Sequence, residues 1–338
     1  MSDKLVIAVD AMGGDFGPRV TIPASLQALK QHAKLNVILI GDTAQIEPLL
    51  ASQPVNLTER ISLVHCDKTI AMDEKPSRAI RHGRQSSMAV ALSKVADGSA
   101  QACVSAGNTG ALMALGRLVL RTLPGIDRPA IITAIPTVKN HCYALDLGAN
   151  VDCSAEQLLQ FAVMGSVMVQ SIGKSDYPTV GLLNVGSEDV KGNEQVRLAT
   201  SLIADHGQLN YIGFIEGDDL FSGKADVVVC DGFVGNIALK SSEGLARMIS
   251  DKVQRSFRQS WYRKILALLA APVLKDLAVQ LDPSRRNGAS LLGLNGVVIK
   301  SHGGADQDCF AYAIEQAVIE AHWNVPKRIS ESLAAQLH

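Results

Sequence analysis

Five apolar runs in this 338-residue sequence end in loops rich in Gly, Asn, Ser, Asp and Lys. Such residues let backbone N–H groups approach a bound anion. The first loop is Asp10-Ala-Met-Gly13-Gly14-Asp15, where two glycines permit a tight turn beside two carboxylates. The second, Ser105-Ala-Gly107-Asn108-Thr109-Gly110, opens a helical pattern, so its N–H groups and positive dipole end form an anion site. The third runs from Asp146 through Gly148 and Asn150 to Asp152, and the fourth from Asn184 through Gly186 to Lys191 and Asn193. A lysine beside Gly and Asn is a point-charge partner for phosphate. The fifth, Asp231-Gly232-Phe-Val-Gly235-Asn236, again opens a helix, and Asn236 can donate to a developing oxyanion. His302 follows a further apolar run near the C-terminus.

Each feature also has a plainer reading. An Asp of the first loop, or Asn108 or Thr109 of the second, could merely cap a helix, Lys191 could be a solvated surface lysine, and a lone His such as His302 is commonly structural. Asp146 and Asp152 could sit in an ordinary turn as well as near a metal, and no metal site is expected. Taken together, the loops read as anion cradles with few bases. The sequence contains no GxGxxG dinucleotide fingerprint, no GxxxxGK[ST] phosphate loop and no GxSxG elbow.

The elements that must hold these loops alternate between β-branched runs and helical patterns, the signature of βαβ units. Strands are expected at Leu5–Asp10, Asn36–Ile40, Ile61–Cys66, Gln101–Ser105, Ala130–Ile135, Ala144–Leu147, Val180–Asn184, Tyr211–Ile215, Val227–Cys230 and Gly296–Lys300. Helices are expected near Thr21–Gln31, from Ser77 to Val95, from the GNTG turn to Leu120, and at Glu156–Ser171 and Phe310–Ala321. The expectation is a three-layer α/β/α domain with a mainly parallel sheet, covering residues 1–338, with a helical excursion at about 250–281. In such sheets ligands bind at the carboxyl ends of strands, where these loops fall.

Composition narrows the function. Hydrophobic residues make up 47% of the chain and aromatics only 4%, so the core must be aliphatic, as suits strands buried on both faces. A formal net charge of −1 argues against nucleic acid as a partner. The six cysteines show no CxxC or zinc spacing, which indicates a reducing compartment. With no signal-peptide pattern and no spanning run, a cytoplasmic protein is expected.

In order along the chain, DAMGGDFGP, SAGNTGALM, DLGANVDC, the Asn184–Asn193 stretch, CDGFVGN and NGASLLGLNG…IKSHG resemble the PlsX family, the bacterial phosphate acyltransferases of phospholipid synthesis. The likeness extends from about Leu5 to about Pro326. It implies a fold related to phosphotransacetylases and isocitrate-dehydrogenase-like enzymes, and a homodimer. The implied reaction is transfer of a fatty acyl group from acyl carrier protein to inorganic phosphate. No cofactor is implied beyond the phosphopantetheine arm that delivers the acyl group. The acyl phosphate would pass to a membrane glycerol-3-phosphate acyltransferase.

Phosphate is already a competent nucleophile and a thiol a fair leaving group, so positioning and charge stabilisation should carry this chemistry. On that reading Lys191 holds phosphate, Asn236 polarises the thioester carbonyl, and Ser105, Gly107, Asn108 and Thr109 add donors. Phe257, Trp261, Ile265 and Leu268 recur at helical spacing among basic residues. They fit either a helical arm on a partner subunit or an interfacial helix at the membrane surface. Arg78, Arg81 and Arg84 share a face of the expected Ser77–Val95 helix and could dock an acidic carrier protein. The competing readings are an acyl-CoA phosphotransacetylase, a hydroxy-acid dehydrogenase of related fold and a non-catalytic scaffold.

Overall fold

The computed structural model describes residues 4–188, 190–281 and 287–336. The amino-terminal half contains β1 (Leu5–Asp10), α1 (Pro18–Gln31), β2 (Leu35–Gly41), α2 (Thr43–Leu50), α3 (Val55–Thr58) and β3 (Ile61–His65). It continues with α4 (Pro76–His82), α5 (Ser87–Ala96), β4 (Ala102–Ser105), α6 (Thr109–Val119), β5 (Ala130–Pro136) and β6 (His141–Leu145). Next come α7 (Ala155–Ser171), β7 (Thr179–Leu183), α8 (Glu194–Asp205), β8 (Asn210–Ile215), β9 (Val227–Val229), α9 (Gly232–Arg258) and α10 (Trp261–Leu281). The chain closes with β10 (Ala289–Leu292), β11 (Val297–Lys300), α11 (Gln307–Trp323) and α12 (Val325–Gln336).

All eleven strands form one sheet in the order β3-β2-β1-β4-β11-β10-β5-β6-β9-β7-β8. Its two ends are parallel blocks, β3-β2-β1-β4-β11 and β6-β9-β7-β8. Three antiparallel pairings in the middle, β11·β10, β10·β5 and β5·β6, set the second block running opposite to the first. The expected mainly parallel α/β/α sheet is therefore present, with an antiparallel joint at its centre.

Side-chain alternation sorts the helices onto the two faces. Ile7, Val9, Val104 and Ile299 pack with α1 and α11, while Ile132, Leu145, Leu182 and Val229 pack with α7 and α12. The register places Ser290 beside both Ile299 and Ile132, so those two cores share one face. On the other face α5 and α6 cover Ala8, Cys103 and Val298 of the first block, and the start of α9 covers Ile131 and Ala144 of the second. The central joint on that face lies between α6 and α9, and across this cleft-side joint Lys300 of β11 and Lys240 of α9 come within electrostatic reach.

The aliphatic core holds Phe161 and Phe310 as its only large aromatic rings among the most deeply buried described residues. Local signals account for most helix starts. Asp42, Asn108, Asn193, Asp231 and Asp306 cap α2, α6, α8, α9 and α11, and Ser154 forms a capping box with Gln157 at α7.

Two expectations need correction. The helix expected from Ser77 to Val95 is two helices separated by a 3₁₀ turn at Gly83–Gln85, because the Ser86 hydroxyl caps a fresh start at α5. Ser77 is not the cap of α4, which starts after Lys75 with Pro76 in its first turn. The helical excursion also begins earlier than residue 250, since α9 runs unbroken from Gly232 to Arg258 before α10 folds against it. Pro272 lies inside α10 without ending it. Among the described residues no helix is long and apolar enough to cross a membrane.

Candidate active site

Neighbouring strands β1, β4 and β11 each end in a polar residue on the cleft face: Asp10, Ser105 and Lys300. The Ser105 hydroxyl donates to Asp10 Oδ2 at 2.7 Å and accepts from Gly107 N at 3.1 Å. Asp10 is buried, and burial pushes its carboxyl above the ordinary range against the pull of hydrogen bonds from Ser87, Ser105, Met12 and Gly13. The Gly13–Gly14 turn packs directly on the Ser105–Gly107 loop. A Cβ on Gly13 would lie 2.7 Å from Asp10 Oδ2 and 2.8 Å from Gly107 N, so only glycine fits.

The loop after β11 joins the same cluster. Asp15 N donates to Gly303 O at 2.9 Å, and Ser301 N donates to Ser105 O at 2.9 Å. His302 is exposed beside them, its Nδ1 accepting from Gly304 N at 3.0 Å. At α6 the Asn108 Oδ1 accepts from Ala111 N, leaving the Thr109 and Gly110 N–H groups at the helix end facing outward from the first turn. Asn108 Nδ2 donates to the carbonyls of Met72 and Glu74, which ties the segment before α4 to the cradle. The structure thus brings together Asp10, Gly13, Gly14, Asp15, Ser105, Gly107, Asn108, Thr109, Gly110 and His302.

A second cluster forms where β6 and β9 end. Asp146 Oδ1 accepts from Ile131 N, Ala149 N and Gly148 N at 2.9, 3.0 and 3.3 Å. Its Oδ2 accepts from Asn150 N at 2.7 Å and Asn150 Nδ2 at 2.9 Å. With both oxygens occupied, Asp146 has no lone pair to spare for a metal. Gly232 N donates to Asn150 O at 2.7 Å, and a Cβ on Gly235 would collide with the Asp146 carbonyl. Asp231 caps α9 through Val234 N at 2.8 Å. Asn150, Asp231, Gly232 and Gly235 therefore dock the start of α9 onto the sheet. Asn236 follows on the exposed side, with Gly148 beneath it.

Lys191 belongs to the loop after β7. Asn184 Nδ2 holds that loop, donating to Gly186 O at 3.1 Å and Lys191 O at 3.2 Å, while Asn193 caps α8. Gly186 is buried and the Lys191 side chain is exposed; Asp189 lies outside the described residues. The order β6-β9-β7 sets this loop at the same sheet end as Asp146 and Asp231. No contact joins Lys191 to Asn236 or to the first cluster among the described residues.

The two clusters approach each other across the cleft through residues that sequence reasoning did not weigh. Lys300 on the first block and Lys240, one turn beyond Asn236 on α9, are close enough to repel. The signal for Lys300 was a lysine ending the apolar run VVIK, at the level where β1 and β4 end in Asp10 and Ser105.

The remaining site residues lie at the periphery. Arg78 and Arg81 are exposed on α4, next to the cradle, and Arg84 is exposed in the following 3₁₀ turn instead of on the same helix. Trp261, Ile265 and Leu268 are exposed on α10 and Phe257 is half-buried near the end of α9.

The fold is similar to the EutD phosphotransacetylase from Staphylococcus aureus (TM-score 0.60, 17% identity, 96% of this chain and 95% of that one). It is equally similar to a phosphotransacetylase from Streptococcus pyogenes (TM-score 0.61, 18% identity, 94% and 95% covered). Sequence is more specific. The fatty acid synthesis protein family matches residues 5–328, and the chain belongs to that family, a family of acyltransferases. It is 56% identical to the phosphate acyltransferase of Pseudomonas savastanoi over 328 residues, covering 97% of this chain and 96% of the relative. It is 52% identical to the phosphate acyltransferase of Shewanella loihica over 336 residues, covering 99% and 98%.

Proposed function

We propose that this enzyme transfers a long-chain acyl group from acyl carrier protein to inorganic phosphate, making acyl phosphate for phospholipid synthesis. The observation that carries the reading is the anion cradle at the ends of β1, β4 and β11, with α9 near enough for Lys240, one turn beyond Asn236, to repel Lys300. Relatives over half identical along nearly the whole chain are named phosphate acyltransferases, which supports phosphate as the acceptor. Backbone N–H groups of the Gly107–Gly110 loop would receive the phosphate, with Lys191 contributing charge from its loop. Phosphate oxygen attacks the thioester carbonyl, Asn236 donates to the oxyanion that forms, and the carbon–sulfur bond breaks to release the carrier thiol. Burial of the cradle favours these interactions over their equivalents in water.

The exposed basic face of α4 beside the cradle supports an acidic carrier protein as the donor. The α9–α10 hairpin, with Trp261, Ile265 and Leu268 outward, supports contact with a second copy and with the membrane surface, where a glycerol-3-phosphate acyltransferase would take the product. Removing Trp261–Leu274 should then weaken liposome binding.

The deciding assay incubates the protein with palmitoyl carrier protein and labelled phosphate, alongside palmitoyl-CoA and acetyl-CoA. Labelled acyl phosphate from the carrier-protein donor is the expected result. Product mainly from a CoA ester would favour a transacetylase-type activity, and no product from any donor would sink the reading.

A further inference from the structure

Lys300 ends β11 in register with Ser105, and its side chain leaves the sheet on the cleft face. It is only 9% exposed. Its Nζ donates to Ala106 O at 3.3 Å and to Ser301 O. Those are neutral carbonyls, and no carboxylate forms an ion pair with it among the described residues. Asp10 from β1 and Asp15 from the following loop attract it at longer range, and Lys240 from α9 repels it. Burial outweighs the rest and brings its pKa down to about 8. A buried cation without a counter-ion is costly and is seldom retained unless a ligand completes it.

The surroundings fit an anion. Gly13, Gly14 and Gly107 let the backbone pack closely around Asp10, Ser105 and Ala106 at this level, since a Cβ on any of them would lie within 3.0 Å of a neighbouring atom. The outward N–H groups at the start of α6 supply neutral donors there. The geometry points to Lys300 as the cation that binds the phosphate substrate, at the carboxyl ends of β4 and β11 beside the first turn of α6. This inference rests on the acyl-phosphate reading and gives the buried lysine the part that sequence alone assigned to exposed Lys191.

Equilibrium dialysis of the full chain against labelled inorganic phosphate, with no acyl donor present, tests it directly. Lys300→Met should weaken binding roughly 10- to 100-fold, the value of a hydrogen bond to a charged group. Lys300→Arg should keep most of the affinity. Because the methionine removes an unpaired buried charge, its melting temperature should equal or exceed that of the parent. Unchanged phosphate affinity in Lys300→Met, whatever its melting temperature, would overturn the assignment.

A second measurement needs no variant. Binding of sulfate, whose charge is constant over the range, should weaken as pH rises through about 8 and the ammonium loses its proton. A flat profile would also overturn the assignment. The dialysis separates this inference from the reading beneath it. Phosphate bound through Lys300 without acyl phosphate formation would remove the acyltransferase reading alone. Turnover with an unchanged KM for phosphate in Lys300→Met would remove this inference alone.

Discussion

The two polar clusters flanking the cleft are built from the same residue types and do opposite things. At the end of β6, Asp146 accepts five hydrogen bonds and every group around it serves to seat α9. At the ends of β1, β4 and β11, a buried lysine has only carbonyl partners. A satisfied polar network fixes structure, whereas a buried charge lacking its complement marks a place where something must bind. Density of polar residues does not tell the two apart; the accounting of partners does.

Adjacent residues Gly235 and Asn236 give the sharpest way to break this distinction. Gly235→Ala would drive a methyl group into the Asp146 carbonyl, and the backbone on neither side can yield without breaking the Asp146 network. It should cost about 3 kcal/mol or more of stability, read by urea unfolding. Asn236→Ala lies on the exposed side of the same helical turn and should leave stability within about 0.5 kcal/mol. Its turnover should fall at least roughly 100-fold, as when one oxyanion donor is lost. If Gly235→Ala were neutral and Asn236→Ala unfolded the protein, the division between a docking cluster and a reacting edge would be wrong.

The central strands carry a related contrast on their two faces. Ser290 of β10 donates at 2.8 Å to Glu320 of α11 on the helix-covered face, and Lys300 occupies the cleft face. Burial raises Glu320 to about 7 from its ordinary 4.5, so the folded protein prefers the protonated acid. The sign follows: its contribution is fully present below the unfolded pKa and is lost as pH rises through about 7. Stability should therefore decline by about 2 kcal/mol between about pH 5 and pH 8 through this group. Glu320→Gln should flatten that part of the profile in pH-dependent urea titrations. An identical decline in the variant would show that the acid is already ionised in the native protein.

These contrasts also mark how far sequence could reach. The strand–loop motifs were legible because β-branched runs ending in Gly, Asn and Asp have a local physical meaning, and the cradle residues do converge. Neither β10 nor α8 is anticipated: β10 is four residues long, and α8 buries only Ala199 and Ile203, so each carries a weak periodic signal. The IKSHG motif carries no signal that Lys300 is buried without a counter-ion, because its burial and lack of a counter-ion appear only once β11 pairs with β4. The structural role of Asp146 is hidden for the same reason, since four of its five donors are backbone N–H groups that sequence cannot place.

The break at Ser86 has a consequence for the basic face, and it gives the smallest expected effect. On one continuous helix Arg78, Arg81 and Arg84 would be equivalent. In the structure Arg78 and Arg81 project from α4 beside Asn108, which anchors the preceding segment to the cradle, whereas Arg84 turns away with its Nε against Ile80 O at 3.4 Å. Arg78 already has Glu74 at 3.6 Å, an exposed pair worth little, so Arg81 is the freer cation. On the proposed carrier-protein reading, charge reversal at Arg81 should raise the KM for that donor about 10-fold, and more steeply at low salt, because rim charges act through long-range attraction. Reversal at Arg84 should change it about 2-fold or less. Equal effects at the two positions would mean that the carrier protein reads net charge alone, and that the docking face is not organised around the entrance to the cradle.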